Sequence, residues 1–122
     1  MPEIIESLLK RNLHDVYGER DAEKRRASIA DIWTPDAVFI DPDGRHLGQT
    51  ALDEAVAGLQ GRFPDYIFSE LAPLQAFHGV GRLPWAFGPP SEPTKITGLD
   101  VGVVTEGRLS TLYTFLDPPK DE

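Results

Sequence analysis

The sequence predicts an α+β fold: one domain, residues 1–122, with three N-terminal helices packed on a strongly curved, mainly antiparallel sheet that encloses a pocket. Three observations lead there. Apolar residues recur at helical spacing through the first half of the chain, and from Tyr66 onward the periodicity changes to two. Between the halves lies a short strand that runs into the turn Asp41-Pro42-Asp43-Gly44. Helices and strands segregated in this way form layers, and a bent sheet wrapped around helices leaves a conical cavity suited to a small molecule.

Residues 2–17 place Ile5, Leu8, Leu9, Leu13 and Val16 on one helical face, with Pro2, Glu3 and Glu6 suiting the start. Lys10 and Arg11 lie towards the end of this helix, and Gly18 stops it. Asp21 caps a second helix over 21–34, whose buried stripe is Ala22, Ile29, Ile32 and Trp33 and which Pro35 closes. The following strand alternates, with Ala37, Phe39 and Asp41 on one face and Val38 and Ile40 on the other. In its turn proline presets φ and Gly44 accepts positive φ, so Arg45-His46-Leu47 can return as a second strand. A third helix covers 50–62, with Thr50 and Asp53 resembling a capping box, Leu52, Val56, Leu59 and Phe63 inward, and Pro64 as the stop.

Four strands then read as a meander: Tyr66–His78, Val80–Phe87, Thr94–Thr105 and Arg108–Leu116. Gly79, residues 88–93 and Glu106-Gly107 separate them. Pro73 and Pro84 each remove a ladder donor and mark bulges or edges, and bulges curve a sheet. The tail from Asp117 is expected to fray.

A net charge of −8 argues against nucleic acid, whose binding rests on cation–phosphate contacts. The one basic cluster, Lys24-Arg25-Arg26, is flanked by acids and reads as a solvated helix face. No stretch reaches membrane-spanning length, and the acidic start Met-Pro-Glu-Ile-Ile-Glu lacks the form of a signal peptide. With no cysteine there is neither disulfide nor thiolate chemistry, which fits a reducing, cytoplasmic setting. His14, His46 and His78 show no metal-ligand spacing, and no nucleotide or phosphate-loop fingerprint appears, so neither metal nor cofactor is expected.

Asp41 has two readings: a half-desolvated acid at a pocket rim, or the start of an Asx-type turn facing water. His46 follows the turn and can approach Asp41, although a His beside a turn is usually solvated. Arg82 either points outward or enters the cavity to meet a carboxylate. Trp85 and Phe87 share a face, and that face lines either the cavity or a sheet interface.

The order of elements, with Ile32-Trp-Thr-Pro-Asp-Ala-Val-Phe-Ile-Asp-Pro-Asp-Gly44, Gly48-Gln-Thr50, Arg62-Phe-Pro64, Gly98-Leu-Asp-Val101 and Gly107-Arg-Leu109, resembles the nuclear transport factor 2-like superfamily. Within it the chain is most similar to the SnoaL-like and ketosteroid isomerase-like branch. That resemblance implies the cone-shaped fold, with Asp41 as a general base and Asp100 as a protonated oxyanion donor. Apolar neighbours disfavour the charged form of Asp100, which agrees with such a role. The resemblance also implies a tyrosine on the first helix. A direct count from Asp41 reaches Tyr17, and allowing for a longer second helix reaches Leu13 beside His14.

The expected ligand is therefore a small hydrophobic carbonyl compound, undergoing isomerase- or cyclase-type proton transfer. Leu13, His14, Tyr17, Trp33, Phe39, Val56, Leu59, Arg82, Trp85 and Leu112 are the expected binding residues. The alternative is a non-catalytic hydrophobic-ligand-binding or protein-interaction domain of the same fold. A homodimer through the sheet is also implied, burying outward residues such as Val103, Leu109 and Tyr113.

Overall fold

A computed structural model describes residues 2–118, with side chains from Ile4 onward. Helix α1 (Pro2–Arg11) lies across a sheet at two glycines, Gly81 on β5 (Val80–Gly88) and Gly102 on β6 (Ile96–Thr105), which are cross-strand partners. A Cβ on Gly81 would come within 2.6 Å of Ile5 and 2.7 Å of Leu9, and one on Gly102 within 2.7 Å of Leu9. The missing side chains are thus what lets Ile5 and Leu9 reach the sheet and become buried.

The helix expected over 2–17 changes character halfway. From Asn12 to Tyr17 it is π-helical, and the Gly18 N–H donates to the Leu13 carbonyl at 2.9 Å, closing the wider turn. That wider turn lags the 3.6-residue rhythm and turns Asn12, Leu13, Val16 and Tyr17 all inward. Trp33 Nε1 donates to the buried Asn12 Oδ1 at 2.9 Å, and Gln60 Nε2 donates to the Tyr17 carbonyl at 2.9 Å.

Helix α2 (Ala22–Ile32) is capped as expected, Asp21 accepting from the Lys24 N–H at 2.9 Å. It ends two residues earlier than expected, because β1 (Trp33–Asp41) begins at Trp33 and includes Pro35. The expected solvated face of Lys24-Arg25-Arg26 is corrected at Arg25, which is buried. Its guanidinium donates to Asp53 Oδ1 at 2.6 Å, Gln60 Oε1 at 3.0 Å and the Glu19 carbonyl at 3.1 Å. Asp53 is therefore committed to Arg25 rather than to a capping box with Thr50. Helix α3 (Gln49–Arg62) starts instead from Gly48, at φ +92°, without a side-chain cap.

The sheet corrects the expected fold class. Its order is β2-β1-β7-β6-β5-β3, with β2 (Gly44–Leu47) and β3 (Ile67–Glu70) as the two ends of this path and β4 (Gln75–Phe77) also paired to β5. β1 runs parallel to β7 (Arg108–Leu116), so the sheet is mixed. The two ends do not pair, and the sheet is neither closed nor strongly curled into a cone. Enclosure comes from helices laid over an open sheet.

The strand expected over Tyr66–His78 is two short ones, β3 and β4, joined by a segment that contains Pro73. Opposite this interruption lies Pro84, whose carbonyl accepts from the Leu71 N–H at 3.0 Å. A strand residue presents N–H and C=O to the same edge, so the donor that Pro84 lacks faces the gap. His78-Gly79 and Glu106-Gly107 both have positive φ at each residue, the tight two-residue hairpin geometry. A bulge leaves Ser110 between the pairs Val103↔Thr111 and Val104↔Leu109, which sends both Leu109 and Leu112 into the core. Leu109 is thus not on the outward face where alternation would put it. Asp117 is held by Thr97 through its N–H at 2.9 Å and its carboxylate at 2.7 Å, so the expected fraying does not begin there. Residues 119–122 of that expected tail lie outside the described residues.

The glycine seat is directly testable. Gly81→Ala and Gly102→Ala should each lower stability in urea denaturation by about 1–3 kcal/mol, the usual cost of overpacking. Their effects should not add, because both displace Leu9. Two neutral substitutions would show that α1 does not depend on this close approach.

Candidate functional site

A cavity of about 720 Å³ lies between the end of the π-helical segment, α3 and the inner face of the sheet. Its walls are largely aromatic: Tyr17, Phe39, Phe63, Phe68, Trp85 and Phe87. Phe68 stacks on Phe87 with centroids 4.1 Å apart, and Tyr17 meets Phe39 and Phe68 edge-on, each at 5.8 Å. Rings locked against one another form a preshaped apolar surface, on which a few polar atoms stand out.

Asp100 is the buried carboxyl of the cavity wall. Along β6 the buried alternate positions are Gly98, Asp100 and Gly102, so Asp100 is the one side chain among them that β6 sends inward. Gly98 also makes room for the Trp85 indole, which a Cβ there would meet at 2.4 Å, and its absence lets Trp85 Nε1 donate to Asp100 Oδ1 at 3.0 Å. Thr114, paired with Asp100 across the ladder, donates its hydroxyl to the same oxygen at 2.8 Å. Both donors fall on Oδ1, which leaves Oδ2 available to a ligand. Burial pushes the Asp100 carboxyl up to about 7, and the Thr114 and Trp85 hydrogen bonds pull against that rise.

Tyr17 ends the π-helical segment. Its hydroxyl is buried and has no hydrogen-bond partner among the described residues. Of the buried unpartnered polar atoms among the described residues, it is the one that belongs to a residue of the cavity wall. Desolvation, followed by the charges of Asp100 and Asp41, holds its phenol well above the ordinary range, so Tyr17 stays a protonated donor.

At Asp41 the two sequence readings prove compatible. Its Oδ1 accepts from the N–H groups of Asp43 at 3.0 Å and Gly44 at 3.1 Å, an Asx-type turn, while the residue also lines the cavity. His46 Nε2 lies 3.3 Å from the same oxygen. Hairpin register explains this: His46 pairs with Phe39 and stacks on it at 5.3 Å, one alternate position from Asp41. Oδ2 of Asp41 is again the oxygen that carries no hydrogen bond within the turn.

Of the binding residues expected from sequence, Leu13, Tyr17, Phe39, Leu59 and Trp85 line the cavity together with both aspartates. Leu13 and Tyr17 were alternatives for one position, and the π-turn brings both to the wall. Trp33, Val56 and Leu112 are fully buried in the core and do not reach the cavity. His14 faces outward, 2.8 Å from Glu70, because it lies on the far side of the π-turn from Leu13. Arg82 takes the opposite parity to Leu83 and Trp85 and binds Gln75 Oε1 at 2.6 Å on the outer face. Sequence reasoning missed Phe63, Phe68, Thr114 and the α3 face that carries Gly58. For Asp100, the spacing Gly98-x-Asp-x-Gly102 was a usable signal of an acid alone on an otherwise bare inner face. Among the described residues no three His, Asp or Glu side chains gather to hold a metal ion, and no helix is long and apolar enough to cross a membrane.

Fold and site define an α+β domain with an aromatic-lined apolar pocket. No family model and no curated protein matches the chain. Among solved structures it is similar to a candidate isomerase of the SnoaL-like family from Agrobacterium tumefaciens, with TM-score 0.87, 24% identity and coverage of 95% of this chain and 99% of that one. A candidate SnoaL-like polyketide cyclase from Jannaschia matches with TM-score 0.79 and 13% identity, over 95% and 87% of the two chains. A candidate ketosteroid isomerase from Kribbella flavida matches with TM-score 0.72 and 18% identity, over 99% and 87%. These likenesses, each under 25% identical, show that the chain shares the fold of those structures.

The raised Asp100 carboxyl has a consequence for stability. Between 3.8, where the unfolded group titrates, and about 7, the folded chain keeps a proton that the unfolded chain has lost. The stability it contributes is full below the lower value and is lost as pH rises through the upper one. Relative to Asp100→Asn, the wild type should therefore lose up to roughly 4 kcal/mol between about pH 4 and about pH 8. Urea titrations of both proteins across that range measure this, and a constant difference would mean that Asp100 keeps an ordinary acidity.

Proposed function

We propose that this protein catalyses proton transfer of the isomerase or cyclase type on a small hydrophobic carbonyl compound. One observation carries the reading: the unpartnered hydroxyl of Tyr17, the half-free carboxyl of Asp100 and the turn-held carboxylate of Asp41 line a single apolar cavity. The substrate carbonyl oxygen lies between Tyr17 and protonated Asp100. Asp41 Oδ2 removes a proton from the carbon next to the carbonyl, and the electron pair of that C–H bond moves to the oxygen as an enolate. Two donors then meet the developing charge without water to compete. Asp41 returns the proton to another carbon of the delocalised enolate, so the isomerisation neither gains nor loses atoms.

The similar structures of isomerase and cyclase description support this reading through shared fold alone. The binding-module alternative would use the same cavity without Asp41. A second copy is proposed to cover the outer sheet face, where Leu99–Phe115 and Val101–Tyr113–Ile40 form apolar cross-strand rows. Tyr113 and Phe115 are exposed there. A cytoplasmic location is proposed with it, on the lack of cysteine.

An electron-poor planar phenol, which mimics the enolate, tests the site. For one that ionises near pH 5, affinity should rise as pH passes through that value, because the phenolate is the bound form. It should fall again above about 7, as Asp100 loses its proton. Asp100→Ala and Tyr17→Phe should each weaken binding by about 1–3 kcal/mol. Asp41→Asn should leave phenolate binding intact and abolish exchange of the α-hydrogens of a bound ketone, followed by NMR in deuterium oxide. Unchanged exchange in Asp41→Asn would remove the base and leave a binding module. For assembly, sedimentation should return a dimer for the wild type and a monomer for Tyr113→Glu with Phe115→Glu, whereas a wild-type monomer would contradict the interface.

A further inference from the structure

Gly58 lies in the interior of α3, where glycine costs about 1 kcal/mol relative to alanine. Outside α3 glycine has a visible reason: Gly81, Gly98 and Gly102 each face atoms that a Cβ would strike, and Gly44, Gly48, Gly79 and Gly107 take positive φ, whereas Gly58 and Gly61 of α3 show neither. Nothing lies within 4 Å of the position a Gly58 Cβ would occupy, and its backbone is helical. What it does have is the cavity. Glu54, Ala55, Gly58, Leu59 and Arg62 recur at helical spacing and form the strip of α3 that lines the cavity, with Gly58 in its middle and itself exposed. The Tyr17 hydroxyl, buried and without a partner among the described residues, belongs to the wall of the same cavity.

We propose that Gly58 is a specificity-determining residue, the size filter at the mouth of the cavity. Its absent side chain lets a rigid ring system extend past α3 while its polar end stays at Tyr17. A side chain at this position projects into the opening and excludes ligands in proportion to their length. The inference deepens the proposed function through the phenol anchor but does not depend on Asp41 chemistry.

Gly61 supplies the control. It lies in the same helix, is equally exposed and has the same open space at its Cβ, yet does not line the cavity. Gly58→Ala, Gly58→Leu, Gly61→Ala and Gly61→Leu should all fold, with melting temperatures equal to or above that of the wild type. Three probes are titrated by fluorescence: naphthol, a four-ring phenol, and anilinonaphthalenesulfonate, which needs an apolar cavity but no oxyanion anchor. Gly58→Leu should weaken the four-ring phenol and the dye by about tenfold or more, Gly58→Ala less, and naphthol should change by no more than about twofold. Both Gly61 variants should bind as the wild type does.

Wild-type affinity of Gly58→Leu for the four-ring phenol, or equal losses in the Gly61 variants, would overturn the filter. So would failure of Gly58→Leu to fold, since the space at its Cβ would then not be open. If the wild type binds the dye but no phenol, the anchor reading fails while the dye still decides the filter. Binding of none of the probes would overturn both.

Discussion

The close approach of α1 to the sheet over Gly81 and Gly102 is the constraint on which the remaining geometry depends. Ile5 and Leu9 fill the space those residues leave, and this sets the height and direction of the first helix. Everything downstream on that helix inherits the placement. The π-turn at Asn12–Tyr17 then delivers a tyrosine to the far end of the sheet, where its hydroxyl meets the space that Asp100 also faces. A bulkier β5–β6 surface would lift the helix and separate the two groups, even though they belong to opposite halves of the sequence.

A second constraint acts from α3. Gln60 joins four segments at once: its amide donates to the carbonyls of Tyr17 and Glu19, and its oxygen accepts from Arg25. Arg20 donates to the carbonyls of Gln60, Phe63 and Tyr66, satisfying acceptors at the C-terminal end of α3 that the helix itself leaves open. The buried members, Gln60 with Arg25 and with the Tyr17 carbonyl, lock one arrangement, since breaking one leaves its partner without water, whereas Arg20 adds its bonds from the exposed side. The cavity is therefore held from both ends of α3's inner surface, and its walls need no closed sheet to stay in place.

Within those walls the chemistry follows from where hydrogen bonds are spent. Asp100 and Asp41 each have Oδ1 occupied, by Trp85 and Thr114 in one case and by the turn N–H groups and His46 in the other. Their surroundings differ sharply. Asp100 sits in a buried wall, and burial raises its carboxyl, whereas Asp41 lies beside an exposed turn whose N–H groups it accepts from. Two residues of one type thus meet different environments, which the residue type alone does not create.

The helices, the α+β class and the Asp41 turn were legible in the sequence, because those signals are local: periodicity, capping, and glycine or proline chemistry within a few residues. The tertiary structure decided what depends on distant partners. β1 pairs parallel with β7 only because the last strand returns beside the first, and no nearby residue encodes that neighbour or the open sheet that results. Arg25 looked solvated because its acid, Asp53, and its amide, Gln60, lie on another helix. The bulge at Ser110 reversed the parity that would have put Leu109 outside. Asp100 was legible as an acid in an apolar strand, but its acidity was decided first by the depth at which the fold buries it, against which the hydrogen bonds from Thr114 and Trp85 on the two neighbouring strands pull.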